Sequence, residues 1–272
     1  MVTRRAGAFS IPAPESAEAL EPPAKPDGSQ LPVVLFRGLP WAVKSMDPVE
    51  LQREVFVHAL GRGLVNVAEL RVLRGGQVSR LRSLGVAAAG SVPANTVLSR
   101  LAHTYSLGEL PQRTLNESAA GELVFSLWLR RRDADVWNRT YIDAGVPVFY
   151  DLSVSLDYER TQRSVERFFG RDKFGYAGSW RVGVRPPEAL NTARLRDDGD
   201  HTVFVDDIDG FVQAAREMRE RIASTRFEIR RHLKQAGYSP VHVDEVEEFL
   251  RGTLASLEAD IERMLEVVLQ EP

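Results

Sequence analysis

The chain contains no cysteine among its 272 residues. This absence excludes a disulfide framework, a thiolate metal site and a cysteine nucleophile. The chain also lacks any stretch of about 18 consecutive apolar residues, the length that a membrane-spanning helix needs. Its five histidines have neither H-x3-H nor H-E-x-x-H spacing, so a zinc site is not expected. The sequence therefore predicts a protein with no disulfide, zinc site or membrane span.

A strong charge of either sign is missing too. The 35 lysines and arginines nearly balance the 38 acidic residues, which leaves a formal net charge of -3. Such a chain has no field that would attract DNA or an anionic membrane, so a nucleic-acid partner is not expected. The opening stretch MVTRRAGAFSIPAPE lacks the apolar run of an export signal, and we expect a cytoplasmic protein. Neither a Rossmann glycine fingerprint nor a G-x-S-x-G elbow is found.

What remains is an ordinary globular composition, with 43% hydrophobic and 27% charged residues. Three regions are predicted along the chain. Residues 1–30 are rich in proline, alanine and glutamate and are interpreted as an N-terminal extension. Residues 31–110 are predicted to form a small lobe with its connector, and residues 111–272 a helical lobe.

In the small lobe, the stretch LPVVLFRGLPWAVKSM predicts a hairpin that turns at residues 37–40. Asp47, Pro48 and Glu50 predict the capped start of a helix, and Gly61 or Gly63 its end. A second strand pair is expected around Gly75 and Gly76. A small antiparallel sheet with one helix packed on it follows from this order.

In the larger lobe, Thr114 and Glu117 form a capping box ahead of an apolar helix. Arg139 to Ile142 and Val146 to Tyr150 predict a hairpin. A helix is expected after Asp151, a loop-rich region over residues 170–206, and two long helices at the end of the chain. Apolar residues at helical spacing predict the buried faces of those two helices: Phe211, Ala215, Met218, Ile222, Leu254, Leu257, Ile261, Met264, Leu265 and Val268.

The stretch RRRDADVWNRTYIDAGVPVFYDLS, residues 130–153, carries the candidate chemistry. The open end of the predicted hairpin brings Asn138 and Asp151 together. An amide oxygen beside a carboxylate suits Mg²⁺, which takes few protein ligands and completes its shell with water and phosphate oxygens. Asp133 is free to face the same point, where a base or orienting group would serve phosphoryl transfer.

The spacing D-x4-N, then twelve residues, then D resembles the catalytic loop and metal-binding aspartate of the protein-kinase-like fold. The likeness is to the atypical branch with the HipA-type and phosphatidylinositol kinases. It implies a two-lobed α+β fold with a sheet-and-helix N-lobe and a mainly helical C-lobe. It further implies ATP and Mg²⁺ as cofactors, Asp133 as the residue that orients the acceptor hydroxyl, and Asn138 and Asp151 as metal ligands.

Two residues of the small lobe fit the same resemblance. Lys44 in WAVKS is similar to the V-A-I-K strand lysine that contacts the α- and β-phosphates, and Glu54 lies where the family has the acid that holds this lysine. Glu50 is the rival acid but fits a helix cap. Taken singly, Lys44 could be a solvated strand residue and Glu54 a surface charge of a helix.

The motifs also depart from the family. DADVWN replaces the intervening Arg and His of the D-R-H-x-x-N segment, and DLS lacks the Phe and Gly that follow the aspartate in protein kinases. The expected function is ATP- and Mg²⁺-dependent phosphoryl transfer to a hydroxyl on a protein or small molecule. Two alternatives stay open: a pseudokinase that binds nucleotide or protein without catalysis, and an adenylyl transferase on the same fold. The acceptor cannot be read from the sequence.

Overall fold

The computed structural model describes residues 32–73, 76–79, 95–101, 104–130, 139–142, 146–149, 156, 180–184 and 201–269. These residues form an α+β protein with a small antiparallel sheet and a larger helical part, as the sequence predicts. The chain divides into two compact units, one of Met1–Met46 with Arg71–Arg100 and one of Asp47–Leu70 with Leu101–Pro272. The assignment of an extension and two lobes to 1–30, 31–110 and 111–272 stays a prediction.

The smaller unit begins with the predicted hairpin. Strand β1 (Val33–Phe36) pairs antiparallel with β2 (Leu39–Ser45). The two residues between them, Arg37 and Gly38, have φ angles of 54° and 72°. Positive φ at both central positions is what a two-residue type I′ turn requires. The predicted turn was two residues too long, because Leu39 and Pro40 already pair with β1.

The sheet is completed by β3 (Leu70–Val72) and β4 (Thr96–Arg100), in the order β1-β2-β4-β3. The strand pair predicted around Gly75 and Gly76 is wrong, since residues 76–79 are helical and the neighbour of β3 comes from the stretch 96–100. All five residues of β4 are buried, so this interior strand shows none of the alternation that marks a half-exposed strand.

Apolar side chains of the smaller unit form one core: Val34, Phe36, Trp41, Val43, Leu73, Val78 and Leu98. Phe36 and Trp41 meet edge to face with their ring centroids 5.9 Å apart. The guanidinium of Arg71 lies over both rings, at 5.0 Å and 5.2 Å from their centroids. These aromatic and cation–π contacts add to the apolar burial that stabilises the sheet.

The described part of the larger unit is built on four long helices: α1 (Pro48–Leu64), α2 (Leu115–Trp128), α3 (Ile208–Gln235) and α4 (Pro240–Val268). Both predicted capping boxes are confirmed. Asp47 accepts hydrogen bonds from the backbone of Val49 and Glu50, and Thr114 accepts one from Glu117.

Helix α2 lies at the centre of this unit, because every residue in it except Glu117 is buried. It contacts α1, α3 and α4. Helix α1, which the sequence placed with the small sheet, belongs to the larger unit and packs on α2 and α3. Phe56, Val57, Leu60 and Leu64 of α1 belong to the helical core. The apolar positions of α1 therefore serve helix packing.

The sequence predicted that α1 ends at Gly61 or Gly63, but the helix continues past both to Leu64. A Cβ atom on Gly61 would lie 2.9 Å from Cγ1 of Val67 and 3.5 Å from the ring of Phe125 on α2. Gly121 of α2 has the same property, since its Cβ would lie 3.0 Å from Cγ1 of Val65. These two glycines let the end of α1 and the middle of α2 approach closely.

The predicted apolar faces of α3 and α4 are confirmed, with Leu254 only partly buried and the other predicted residues buried. Asp207 caps α3 through the backbone of Gly210, and Ser239 caps α4. Exposed ion pairs join the two helices, including Arg230 with Asp244 and Arg216 with Glu262.

The region 170–206 is not only loop. After the antiparallel pair β5 (Arg139–Ile142) and β6 (Val146–Phe149), strands β7 (Trp180–Val184) and β8 (His201–Val205) pair in parallel. Both contain β-branched or aromatic residues in short runs, WRVGV and HTVFV, which is the signal that could have identified them. Strand β8 contacts α2 and β7 contacts α4, so the pair lies against the helical core.

Candidate functional site

Two of the five predicted site residues lie in the described structure. Lys44 is on β2 in the smaller unit and Glu54 is on α1 in the larger unit. Asp133, Asn138 and Asp151 lie outside the residues that the structure describes.

Lys44 is buried in the interior of the sheet. Strand β2 runs between β1 and β4, and Lys44 is paired with Val97 of β4. Its neighbours Trp41 and Val43 point into the core, so Lys44 lies with Ala42 on the opposite face. Only 7% of Lys44 is exposed, which excludes the alternative that it is a solvated strand residue. Lysine is rarely buried without an anionic or hydrogen-bonding environment for its ammonium group.

Glu54 is the buried acid of α1. It is 2% exposed, which excludes an ordinary surface charge. Glu50, the rival, is exposed and accepts a hydrogen bond from the backbone of Asp47 as part of the cap. Glu54 lies one turn before the fully buried Val57, on the same side of the helix, whereas Glu50 lies in the exposed first turn.

The hairpin that the sequence placed between Asn138 and Asp151 is confirmed. Strands β5 (Arg139–Ile142) and β6 (Val146–Phe149) are antiparallel, with Arg139 opposite Phe149 at the open end. Asn138 directly precedes the first of these strands and Asp151 follows the second by two residues. Both candidate metal ligands therefore continue the chain from the same end of one hairpin.

Strand β6 is fixed to the stretch that follows α1. The backbone N–H of Phe149 donates to the carbonyl of Asn66 at 2.8 Å, and the N–H of Ala68 donates to the carbonyl of Phe149 at 2.7 Å. Val67 and Phe149 form a parallel bridge. Phe149 is thus held on both sides, by β5 and by residues 66–68. This anchoring gives the open end of the hairpin a defined position in the larger unit.

A backbone hydrogen bond joins residues on either side of the segment 131–155, which contains the three candidates outside the described residues. The N–H of Leu156 donates to the carbonyl of Leu129 at 2.8 Å. Arg130 and Leu156 both have left-handed backbone, with φ angles of 49° and 63°. For a residue other than glycine this conformation costs about 1 kcal/mol or more. The two ends of the segment are therefore fixed in a specific and unusual geometry.

Arg130 is a residue that the sequence analysis missed. It is buried at the end of α2, and its Nη2 forms an ion pair with Oδ2 of Asp260 on α4 at 2.9 Å. Ser256 donates to the same oxygen, also at 2.9 Å. Nothing in the sequence links two residues 130 positions apart, so only the structure could identify this pair.

Two other buried polar residues lie close to these elements. Asn66, whose carbonyl holds Phe149, is 2% exposed, and neither polar atom of its side chain has a hydrogen-bond partner among the described residues. Glu122, in the middle of α2, is also 2% exposed. Polar groups are buried at a cost, and unsatisfied ones often mark sites that need another group. A polar residue inside an apolar run, as in LVNVAEL, is the signal that could have identified Asn66.

His58 supports the stretch that holds β6. Its Nε2 lies 2.9 Å from the carbonyl oxygen of Ala68. Burial lowers the pKa of His58 below its usual value, the hydrogen bond to Ala68 opposes this, and nearby Arg62 lowers the pKa further. His58 is therefore favoured in its neutral form, with Nε2 as the donor.

The part of the chain that the structure describes contains no cluster of three histidine, cysteine or acidic side chains able to hold a metal ion. Asn138 and Asp151, the predicted metal ligands, lie outside the residues that this finding covers. Among the same residues, no helix has the combination of length and apolar composition that crossing a membrane requires.

Comparison with protein-family models, with curated proteins and with solved structures found no match.

Proposed function

We propose that the chain is an ATP- and Mg²⁺-dependent phosphotransferase with a two-lobed protein-kinase-like fold. The acceptor is a hydroxyl group on a protein or a small molecule. Asp133, Lys44, Glu54, Asn138 and Asp151 have the roles that the resemblance implies for them. Asp133, Asn138 and Asp151 lie outside the described residues, and their roles are proposed from the sequence alone.

The burial of Lys44 on an interior strand is the observation that carries the proposal. A lysine side chain is long and strongly hydrated, and a stable sheet has no need of it at a buried position. A protein that binds a triphosphate does need such a cation, because Lys supplies a compact positive charge to phosphate oxygens. The burial of Glu54 gives independent support, since the two residues were selected by sequence order alone.

The hairpin adds a third line of support. In-line phosphoryl transfer depends on positioning and on neutralising charge, so its metal ligands must be held by rigid elements. The open end of β5 and β6 is such an element, because hydrogen bonds fix β6 to residues 66–68. An amide and a carboxylate that continue from that end suit Mg²⁺, with water and phosphate oxygens completing the shell.

The proposal is tested by incubating the full chain with MgATP and a fractionated cell extract as a source of acceptors. Formation of ADP coupled to labelling from γ-labelled ATP is the expected result, whereas pyrophosphate release with labelling from α-labelled ATP would indicate adenylyl transfer. Asp133→Asn and Asp151→Asn should each lower the rate by about 10²-fold or more, because each removes charge from the transition-state environment.

Glu245→Gln is the matched control, since Glu245 is an exposed acid on α4 and its loss should leave the rate unchanged. The proposal fails if the parent protein turns over no ATP, or if the two aspartate variants and the control have equal rates.

A further inference from the structure

Two arginine side chains of the larger unit converge on one backbone carbonyl. Nη2 of Arg113 lies 3.3 Å from the carbonyl oxygen of Gly63, and Nη2 of Arg221 lies 3.4 Å from the same oxygen. Arg113 directly precedes the N-cap of α2, Arg221 is on α3, and Gly63 is in the last turn of α1. Gly63 is exposed and both arginines are half-buried, so three helices bring two positive charges together at the surface.

Neither guanidinium has an acidic partner among the described residues. Elsewhere on α3, by contrast, Arg216 is paired with Glu262. A guanidinium has five N–H donors, and within the described part of the chain Arg113 and Arg221 share the carbonyl of Gly63 as their acceptor. The Nε atom of Arg113 is buried and has no acceptor among those residues. Both groups therefore have donors left for a ligand.

The charges around the two arginines do not neutralise them. Helix α1 ends here with about half a negative charge and α2 begins here with about half a positive charge, so the two helix dipoles offset each other. Burial lowers the pKa of Arg113, the charge of Arg221 lowers it further, and the charge of Glu117 opposes both. Oε2 of Glu117 already accepts the backbone N–H of Thr114 in the capping box. Two positive charges therefore stand against one negative charge.

A cap at the end of α1 accounts for one of the arginines but not for both. Cationic side chains commonly donate to the last carbonyls of a helix. Two guanidinium groups on one oxygen repel each other, however. Their contacts with Gly63, at 3.3 Å and 3.4 Å, are also longer than an ordinary N–H···O hydrogen bond. A ligand with negative charge and several acceptor oxygens would remove the repulsion and occupy the remaining donors.

We propose that Arg113 and Arg221 form a binding site for a phosphoryl dianion, carried by a phosphorylated metabolite or by a phosphorylated peptide. The planar fork of arginine matches the oxygens of a phosphate group, and such charge-assisted hydrogen bonds are among the strongest in proteins. The dianion carries enough charge to balance both guanidinium groups. This inference does not rest on the proposed function, because neither arginine has a role in it.

Binding is measured on the full chain with inorganic phosphate as the probe, from the rise in Tm with phosphate concentration against chloride at equal ionic strength. We expect a saturable rise for the parent. Arg113→Gln and Arg221→Gln should each raise the Kd about 10-fold or more, because each removes charge-assisted hydrogen bonds. Arg226→Gln is the matched control, since it removes an exposed arginine of α3 that lies over the ring of Phe227, and it should bind phosphate as the parent does.

Two further variants separate this site from a helix cap and from the proposed nucleotide site. In phosphate-free buffer, Arg221→Gln should unfold at a urea concentration no lower than the parent, because a like-charge repulsion is relieved. Earlier unfolding with an unchanged Kd for phosphate would describe a cap alone and overturn the inference. Lys44→Met should keep the Kd of the parent. Binding that is lost in Lys44→Met but kept in both arginine variants would place the phosphate elsewhere, and a parent with no saturable rise would also refute the site.

Competition identifies the source of the phosphoryl group. Glycerol phosphate and a phosphoserine peptide are each titrated against inorganic phosphate, with unphosphorylated glycerol and peptide as controls. Stronger competition by glycerol phosphate indicates a metabolite, and stronger competition by the phosphopeptide indicates a protein ligand. If neither displaced inorganic phosphate, the site would not accept a phosphate monoester and the inference would be wrong.

Discussion

At the scale of single residues, the buried lysine gives the most direct test of function. Lys44→Met keeps the length of the side chain and removes its charge, so the sheet should remain folded. If the ammonium group serves the phosphates of ATP, the rate should fall about 10²- to 10³-fold, as for other electrostatic donors of an active site. The measurement is ATP turnover by the purified variant, with Lys234→Met, which replaces an exposed lysine of α3, as control. Equal rates for the two variants would contradict the role of Lys44.

His58 should make stability depend on pH. Because burial lowers its pKa in the folded state, the unfolded chain takes up a proton near pH 6.5 that the folded chain does not. The unfolding free energy is then fully retained above about pH 6.5 and falls as the pH drops towards the lower, folded pKa. Urea unfolding at about pH 7.5 and pH 5.5 measures the effect. His58→Gln keeps an N–H donor without titrating, and it should lose less stability over this range than the parent does.

Single residues also show what the sequence could and could not reveal. Lys44 and Glu54 could be chosen as candidates because the order of a family pattern points to them and the helix cap distinguishes Glu54 from Glu50, but their burial is visible only in the fold. Arg130 was not identifiable, because its partner Asp260 is distant in sequence and its left-handed backbone is a property of the folded chain. Asn66 lies inside an apolar run, which could have indicated its burial, but the hydrogen bond between its carbonyl and Phe149 is visible only in the fold.

At the scale of elements, the glycines of α1, α2 and α4 can be divided by the space around them. An added Cβ at Gly61 or Gly121 would lie 2.9 Å or 3.0 Å from a valine methyl group, whereas one at Gly63 or Gly252 would have no atom within 4 Å. Gly61→Ala and Gly121→Ala should therefore destabilise the protein by about 1 to 3 kcal/mol through overpacking. Gly63→Ala and Gly252→Ala should stabilise it by about 0.5 to 1 kcal/mol, because alanine is the better helix former.

Chemical denaturation of the four variants checks this division, since their unfolding free energies should fall into two groups on either side of the parent. If Gly61→Ala were as stable as Gly63→Ala, the close approach of α1 and α2 would not require glycine.

The elements differ in how far local sequence determines them. The starts of α1 and α2 were predicted correctly because Asp47 and Thr114 satisfy the free N–H groups of the first turn through local hydrogen bonds. The hairpin of β5 and β6 was also predictable from short-range turn chemistry. Strand β4 was missed because all five of its residues are buried, which removes the alternating pattern. Strands β7 and β8 were missed because they pair in parallel, so no short hairpin turn marks the pair in the sequence.

At the scale of the whole molecule, each of the two compact units is made of two separate stretches of the chain. The chain leaves the smaller unit after Met46, returns to it at Arg71 and leaves again after Arg100. Helix α1 lies in the stretch Asp47–Leu70, which belongs to the larger unit, and contributes to the helical core. Neither unit can therefore be produced as one continuous fragment, and functional tests require the full chain.

Nucleotide binding should be visible in the stability of the full chain before any acceptor is known. A ligand that binds only the folded state raises the unfolding free energy by RT ln(1 + [L]/Kd), about 2.7 kcal/mol when the ligand is at 100 times Kd. For a chain of this size that increase corresponds to a rise in Tm on the order of 5 °C. We expect this rise with MgATP, a smaller one with ATP and EDTA, and none with Mg²⁺ alone.

Asp151→Asn should reduce the difference in Tm between the protein with MgATP and the protein with ATP and EDTA, because it removes a proposed metal ligand while leaving Lys44 in place. A parent protein whose Tm is unchanged by MgATP would argue against nucleotide binding, and with it against both the kinase and the nucleotide-binding pseudokinase.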